Sequence, residues 1–374
     1  MITIIIVLIL GYCCLVIALC VGFNYLKEDA HSYYEPKISF SICIAFRNES
    51  NNLFELLNSL KDLSYPDDLF EILLVDDHSN DNSVEIIADF CKKNARFGSK
   101  IRVLRQKTAQ QSGKKSALTN AIQNAKNEFI ITTDADCLVN RNWLHGFNTF
   151  IISSRKTFIA APVALEENSR GILNSFQQLD FLSLQGATVG GFGIKKPFLC
   201  NGANLCFSKS RFFELKGYEG NDQIASGDDL FLMQKFLKND REAVGYLKSK
   251  NAIVYTKSQK NCNQLINQRK RWAAKASHFK DPIGVLVSWI VFLGNVAFVL
   301  AVLYLSSSIY LLILIVLKTL ADFLLIAQSA DFFSKKNHLS GFLISFIIHP
   351  FFTIYIAVAS QFQTFKWKGR RLKK

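Results

Sequence analysis

The sequence predicts an α/β protein with a mostly parallel sheet, joined to helices long enough to cross a membrane. Three observations predict it. β-rich apolar runs alternate with amphipathic helical ones between residues 36 and 136, the order that builds parallel sheets. Acidic clusters fall at the carboxyl ends of two of those runs, where open α/β sheets place their ligands. Long uncharged apolar segments flank the whole at both ends of the chain.

The first strand is expected within Lys37–Phe46, bounded by Pro36 and the polar Arg47-Asn48-Glu49-Ser50. A helix follows with Leu53, Leu56, Leu57 and Leu60 on one face, ending before Pro66. Phe70–Val75 reads as a second buried strand, closed by Asp76-Asp77-His78-Ser79-Asn80-Asp81. Then come a helix over Val84–Lys93, a strand at Ile101–Leu104 and a helix over Ala117–Ala125. A strand at Glu128–Thr133 ends at Asp134-Ala135-Asp136. Leu173–Leu184 is amphipathic, a pattern that suits either a bilayer-surface helix or a core helix.

The 374 residues are 49% hydrophobic with mean hydropathy +0.16, and the apolar residues are unevenly spread. Ile2–Phe23, residues 282–317 and residues 340–365 lack Asp, Glu, Lys and Arg, and runs of this length read as membrane spans. Ile2–Phe23 has no basic n-region and no small-residue cleavage site after it, so an uncleaved anchor is expected over a signal peptide. Residues 282–317 would reach on the order of 54 Å as one helix, too long for one crossing, so two helices broken near Ser306-Ser307-Ser308 are expected. The second then carries Lys318 and Asp322, an i,i+4 pair inside the membrane, where ions are usually paired. Net charge is +14, and residues 366–374 alone hold six cations. Beside a span, such runs mark the cytoplasmic side rather than a nucleic-acid site. Nine scattered cysteines, an odd number, argue against a disulfide framework and fit a reducing compartment.

Several residues can carry chemistry. Asp134 and Asp136 put two carboxylates at a strand end with a small residue between them, a pattern suited to Mg²⁺ or Mn²⁺ shared with phosphate oxygens. Asp76 and Asp77 can accept from a nucleobase N–H, or else cap the next helix, a task Ser79 or Asp81 does equally well. Lys114, behind Gly113 at a helix start, offers a cation to phosphate or is simply a solvated first turn. Asp228 and Asp229 open a helix, and one of them can serve as a general base. Gln268, Arg271 and Trp272 stand just before the large apolar block, where a juxtamembrane basic helix is the plain alternative.

VDDHSND, GKKSAL, TTDADC, NGANLCFSK, GDDLFL and QRKRW occur together and in this order. With these six motifs, residues 36–280 resemble the processive-type family 2 glycosyltransferases, a group that includes poly-N-acetylglucosamine, cellulose and hyaluronan synthases and the ceramide glucosyltransferases. The resemblance implies a GT-A fold, an inverting mechanism, and a nucleotide-diphosphate sugar donor, a UDP-sugar foremost. It assigns Asp76, Asp77, Lys114, Asp134 and Asp136 to the donor, with Asp134 and Asp136 also holding the metal, and Arg47 is a further donor-side candidate. It assigns Asp229 as base, with Asp228 beside it because Gly-Asp-Asp replaces the commoner Glu-Asp. Gln268, Arg271 and Trp272 match the QxxRW element on the acceptor and diphosphate side.

The expected organisation is an anchor at 1–24, a GT-A domain at 36–281, a membrane region at 282–365 and a basic tail at 366–374. Nucleotide sugars are cytoplasmic, so the catalytic domain is expected inside, in an integral inner or plasma membrane protein. A third full span at 340–365 would put the basic tail outside, against the positive-inside rule, and His349-Pro350 permits a re-entrant segment instead. The expected reaction is sugar transfer to a membrane-associated, lipid-linked acceptor. The second reading is a polysaccharide synthase working as an oligomer or with a partner subunit, because the membrane part is short for a polymer channel. An inactive membrane scaffold is the third, and the intact acidic set argues against it.

Overall fold

A computed structural model describes residues 1–28, 34–106, 113–167, 171–220, 227–274, 281–362, 365–367 and 370–372. In chain order the first elements are α1 (Ile2–Tyr25), β1 (Phe40–Phe46), α2 (Leu53–Lys61), β2 (Phe70–Asp76), α3 (Ser83–Lys93), α4 (Ala95–Gly98), β3 (Ile101–Arg105) and α5 (Lys114–Asn124). Next come β4 (Phe129–Thr132), β5 (Cys137–Leu138), α6 (Trp143–Ser154), β6 (Phe158–Ala160), β7 (Val163–Leu165), α7 (Ile172–Gly193), β8 (Leu205–Ser208) and α8 (Lys209–Glu214). The remainder is α9 (Asp228–Asn239), β9 (Val244–Tyr246), β10 (Val254–Thr256), α10 (Cys262–Ala273), α11 (Pro282–Leu303), α12 (Ile309–Phe332), α13 (Phe342–Phe362), β11 (Phe365–Trp367) and β12 (Arg370–Leu372).

Two compact units result. The sheet unit comprises Glu28–Glu166 and Cys200–Lys257, and the helical unit comprises Met1–Lys27, Glu167–Leu199 and Ser258–Lys374. The sequence alone expected one continuous domain over 36–281, between an anchor and a membrane region. By contacts, α7 and α10 group with the apolar helices.

The sheet unit is built on seven strands in the order β3-β2-β1-β4-β8-β6-β9. β3, β2, β1 and β4 are mutually parallel, and β8 runs antiparallel to both β4 and β6. A three-stranded sheet, β5-β10-β7, lies in the same unit. Ile42, Ile44, Leu73, Leu74, Ile130 and Ile131 are fully buried, as strands covered on both faces require. Each such side chain contributes about 1.5–3 kcal/mol by leaving water. The parallel register sets Phe40 beside both Phe70 and Phe129, so β1, β2 and β4 end on one edge. Because β8 is antiparallel to β4, with Leu205 opposite Thr132, the start of β8 reaches that same edge.

Among the described residues, the helical unit holds four helices long and apolar enough to cross a membrane: α1, α11, α12 and a stretch of Lys336–Phe362 that contains α13. α1 shows two faces. Ile5, Ile9, Tyr12, Val16 and Leu19 are buried in an apolar cluster with residues of α11 and α12, while Ile4, Val7, Leu10, Ile17 and Val21 are exposed. The break between α11 and α12 falls at Leu305–Ser308, as the spacing predicts. Lys318 and Asp322 are paired at 2.8 Å, and the Tyr12 hydroxyl donates to the same carboxylate at 2.7 Å. The Lys318 ammonium also lies 4.4 Å from the Tyr12 ring centre, and 5.2 and 5.3 Å from those of Phe298 and Phe346. Removing one partner strands a charge among apolar side chains. Asp322→Ala is therefore expected to cost about 3–5 kcal/mol, read as a lowered Tm in detergent. Lys318→Met combined with Asp322→Leu is expected to lose much less.

α7 differs from a bilayer-surface helix. Phe176, Leu179, Phe181 and Leu182 are buried, but so are Gln177, Gln178, Asp180 and Gln185, which leaves no single lipid face. The core-helix alternative is the one observed. Its glycines explain the packing: a Cβ at Gly190 would sit 2.3 Å from the Leu19 carbonyl oxygen, and one at Gly22 would sit 2.2 Å from the Gly190 oxygen. α13 runs unbroken through His349-Pro350, so the proline does not divide the segment. Of the basic tail, only the backbone of the β11–β12 hairpin is described, and the charged side chains of 366–374 lie outside the described residues.

Candidate active site

The shared edge of β1, β2, β4 and β8 gathers most of the candidates. β2 ends on Asp76, whose carboxylate accepts the Ser79 N–H at 2.8 Å. Asp77 is 2% exposed and its carboxylate accepts the Gly113 N–H at 3.1 Å, tying the end of β2 to the start of α5. At the start of α3 it is Asp81 that accepts the Ser83 N–H, at 3.1 Å, together with the Ser50 N–H at 3.0 Å. Arg47, just past β1, donates from Nη1 to the Asp77 carbonyl at 2.7 Å. Its Nε is buried with no hydrogen-bond partner among the described residues.

After β4 the chain turns at Asp134-Ala135-Asp136, where the Asp134 carbonyl accepts the Cys137 N–H at 3.2 Å. Ala135 is 2% exposed, so the turn has room only for a small residue between the two acids. Lys114 opens α5 behind Gly113, whose φ of 113° suits glycine. The Lys114 ammonium lies 2.6 Å from Asp134 Oδ1 and 3.4 Å from Asp228 Oδ2. Burial alone would lower its pKa, but Asp134, Asp228 and Asp229 outweigh that and hold the ammonium well above the ordinary lysine value. Asp228 and Asp229 are both buried in the first turn of α9, behind Gly227 in the left-handed region. The Asp229 carboxylate accepts the Gly202 N–H at 3.1 Å and the Leu230 N–H at 2.8 Å.

Two residues of this edge were not singled out from sequence, although both lie in the NGANLCFSK motif. A Cβ on Gly202 would meet Asp228 Oδ2 and Asp229 Cβ at 3.3 Å and Lys114 Nζ at 3.5 Å, so glycine leaves the acids their space. The Gly202 carbonyl is held by the Thr132 hydroxyl at 3.1 Å. Asn204, fully buried, donates to the carbonyls of Pro162 and Ala252 at 2.7 Å each and accepts from Trp143 Nε1 at 2.9 Å. These bonds fix the loop that enters β8.

Lys114, Asp134, Asp228 and Asp229 thus come together in the sheet unit, with Asp76, Asp77 and Arg47 along the same edge. Gln268, Arg271 and Trp272 lie on α10 in the helical unit. There the Trp272 ring centre is 6.3 Å from that of Phe181 and 4.2 Å from the Arg269 guanidinium.

The profile of Glycosyl transferase family group 2 matches residues 129–357, and that of Glycosyl transferase family 2 matches residues 41–185. The chain belongs to the family 2 glycosyltransferases. Among curated proteins it is 27% identical to a poly-beta-1,6-N-acetyl-D-glucosamine synthase of Staphylococcus epidermidis, over 67% of this chain and 57% of the synthase. It is 32% identical to a beta-monoglucosyldiacylglycerol synthase of Trichormus variabilis, over 28% of this chain and 21% of that protein. In both cases the match takes in less than two thirds of the relative's length. A mannosyltransferase of Pyrobaculum calidifontis, solved with GDP-Man and Mn²⁺, superposes with a TM-score of 0.59 at 16% identity, over 92% of this chain and 98% of that one. The shared fold confirms the mixed α/β, GT-A-like architecture, and the four apolar helices suggest association with a membrane.

Proposed function

We propose that this chain transfers a sugar from a nucleotide-diphosphate sugar, a UDP-sugar foremost, to a membrane-associated acceptor, with inversion at the anomeric carbon. The carrying observation is the acidic set around Lys114, with Asp134, Asp228 and Asp229 at the ligand-binding edge of the sheet. Asp76, Asp77 and Arg47 take the nucleoside side of the donor, and the Arg47 Nε has a hydrogen bond to give. Lys114 neutralises the diphosphate. Asp229 takes the proton from the acceptor hydroxyl as its oxygen attacks the anomeric carbon, and the nucleotide diphosphate leaves from the opposite face. Asp228 keeps the Lys114 ammonium in place beside it. Gln268, Arg271 and Trp272 serve the acceptor and diphosphate.

Among the described residues no group of three or more His, Cys, Asp or Glu side chains is arranged to hold a metal. Asp134 and Asp136 fit Mg²⁺ or Mn²⁺ if donor phosphate oxygens complete the ligand set, since all would be hard oxygen ligands. The carboxylates around Lys114 already favour positive charge at this edge. The bound ion would supply charge neutralisation of the leaving diphosphate.

The helical unit favours a lipid-linked acceptor, because α10 belongs to the same compact unit as the apolar helices. Membranes given labelled donor are expected to yield label that extracts into organic solvent. Label found only in water-soluble, high-molecular-weight product would instead favour a polymer synthase acting as an oligomer or with a partner.

The sheet unit is assigned to the cytoplasmic side of an inner or plasma membrane, with the N-terminus outside. α13 presents His349 to Asp180 at 3.5 Å and Tyr355 to the Lys270 ammonium at 5.4 Å. Anchored by these polar contacts at the interface rather than crossing fully, α13 keeps the basic tail inside. A cysteine placed in the tail is expected to resist an impermeant thiol reagent in intact cells. Labelling there would mean that α13 crosses.

A further inference from the structure

α7, α10 and α13 meet at a buried polar knot. Asp180 on α7 is 8% exposed. Its Oδ2 accepts from Arg269 Nε at 2.7 Å and lies 2.7 Å from Arg269 Nη2. Its Oδ1 lies 3.5 Å from His349 Nε2 of α13. Arg269 in turn donates from Nη1 to Gln268 Oε1 at 2.6 Å and lies over the Trp272 ring at 4.2 Å. Burial would raise the Asp180 pKa, but Arg269 and His349 bring it down to about 2, so the carboxylate is charged at neutral pH.

The geometry of α10 gives this knot a consequence. Each helical residue turns by about 100°, which puts Trp272, Gln268 and Arg271 within a single arc of about 100° beside Arg269. Whatever fixes the direction of Arg269 fixes the direction of all three. A buried guanidinium cannot turn away from its carboxylate without leaving both charges uncompensated.

We propose that Asp180 is a positioning residue: its ion pair with Arg269 sets the rotation of α10, so that Gln268, Arg271 and Trp272 are presented together, with His349 bracing the carboxylate from α13. The inference rests on the acceptor-side assignment of those three residues. Asp180 touches no substrate and acts through Arg269.

The test uses the full chain in detergent, with Asp180→Asn, Asp180→Glu and the double variant Asp180→Asn, Arg269→Gln. The double variant removes both charges, so it remains informative where the single one fails to fold. One readout is kcat and donor KM for UDP release from UDP-glucose and UDP-N-acetylglucosamine. The other is acrylamide quenching of Trp272, taken as the difference between each variant and its Trp272→Phe counterpart. Asp180→Asn and the double variant are expected to lower kcat on the order of tenfold or more, the effect of a small misplacement, with a smaller rise in donor KM from the diphosphate contact. Trp272 should become more open to quencher, and Asp180→Glu should recover part of both signals. Wild-type kcat in Asp180→Asn would overturn the inference. So would lost activity with Trp272 quenching unchanged, the mark of a purely structural pair. Full activity in Arg271→Ala would instead sink the acceptor-side assignment, while the quenching result would still report on positioning.

Discussion

Asp229→Asn is expected to lower turnover by about 10²-fold or more, the scale of a positioned proton transfer, while donor binding is retained. The amide keeps the shape of the side chain, and its oxygen can still accept one of the two N–H groups, those of Gly202 and Leu230, that hold the two oxygens of the native carboxylate. What it cannot do is take a proton from an acceptor hydroxyl. The neighbouring variant provides the contrast. Asp228 sits 3.4 Å from the Lys114 ammonium, so Asp228→Asn is expected to weaken the hold on Lys114 and on the donor, with a smaller loss of turnover. Binding of the donor can be followed separately, by protection against thermal unfolding in the presence of UDP. An inactive Asp228→Asn beside a normal Asp229→Asn would move the base by one residue.

The second large effect concerns the metal. Asp136→Asn is expected to abolish turnover, a loss on the order of 10³-fold, because the leaving diphosphate would lose its principal charge stabilisation. The protein should stay folded, since Asp136 lies in a partly exposed turn rather than in the core. EDTA should reproduce the loss in the wild type, and added Mn²⁺ or Mg²⁺ should reverse it there but not in the variant. Full activity in EDTA would contradict the assignment of Asp134 and Asp136.

Much of the sheet edge was legible because its signals are local. Phe70–Asp76 and Phe129–Thr132 are short apolar runs stopped by acids, and parallel strands place such stops on one edge. Start of helix α5 was less legible. The apolar period points only to Ala117, because Lys114, Lys115 and Ser116 carry no apolar signal, and it is Gly113 that marks the observed start at Lys114. The second half of α7 was hidden for a different reason. Gly186, Gly190, Gly191 and Gly193 are poor helix formers, and their use becomes plain only where α1 approaches. A Cβ at Gly193 would collide with the Gly22 carbonyl. β8 could be placed antiparallel only once its partners β4 and β6 were known, and the roles of Gly202 and Asn204 follow from that placement. The Asp180–Arg269 pair joins residues 89 positions apart, a separation that no local pattern encodes.

The central claim is glycosyl transfer at the Lys114–Asp134–Asp229 edge, and release of the nucleotide tests it most directly. Membranes containing the chain should be given a panel of UDP- and GDP-sugars, with and without EDTA, and free UDP or GDP measured. Release from one donor, dependent on divalent metal and absent in Asp136→Asn and Asp229→Asn membranes, is the predicted result. No release from any donor, or equal release in the Asp136→Asn and Asp229→Asn membranes, would contradict it.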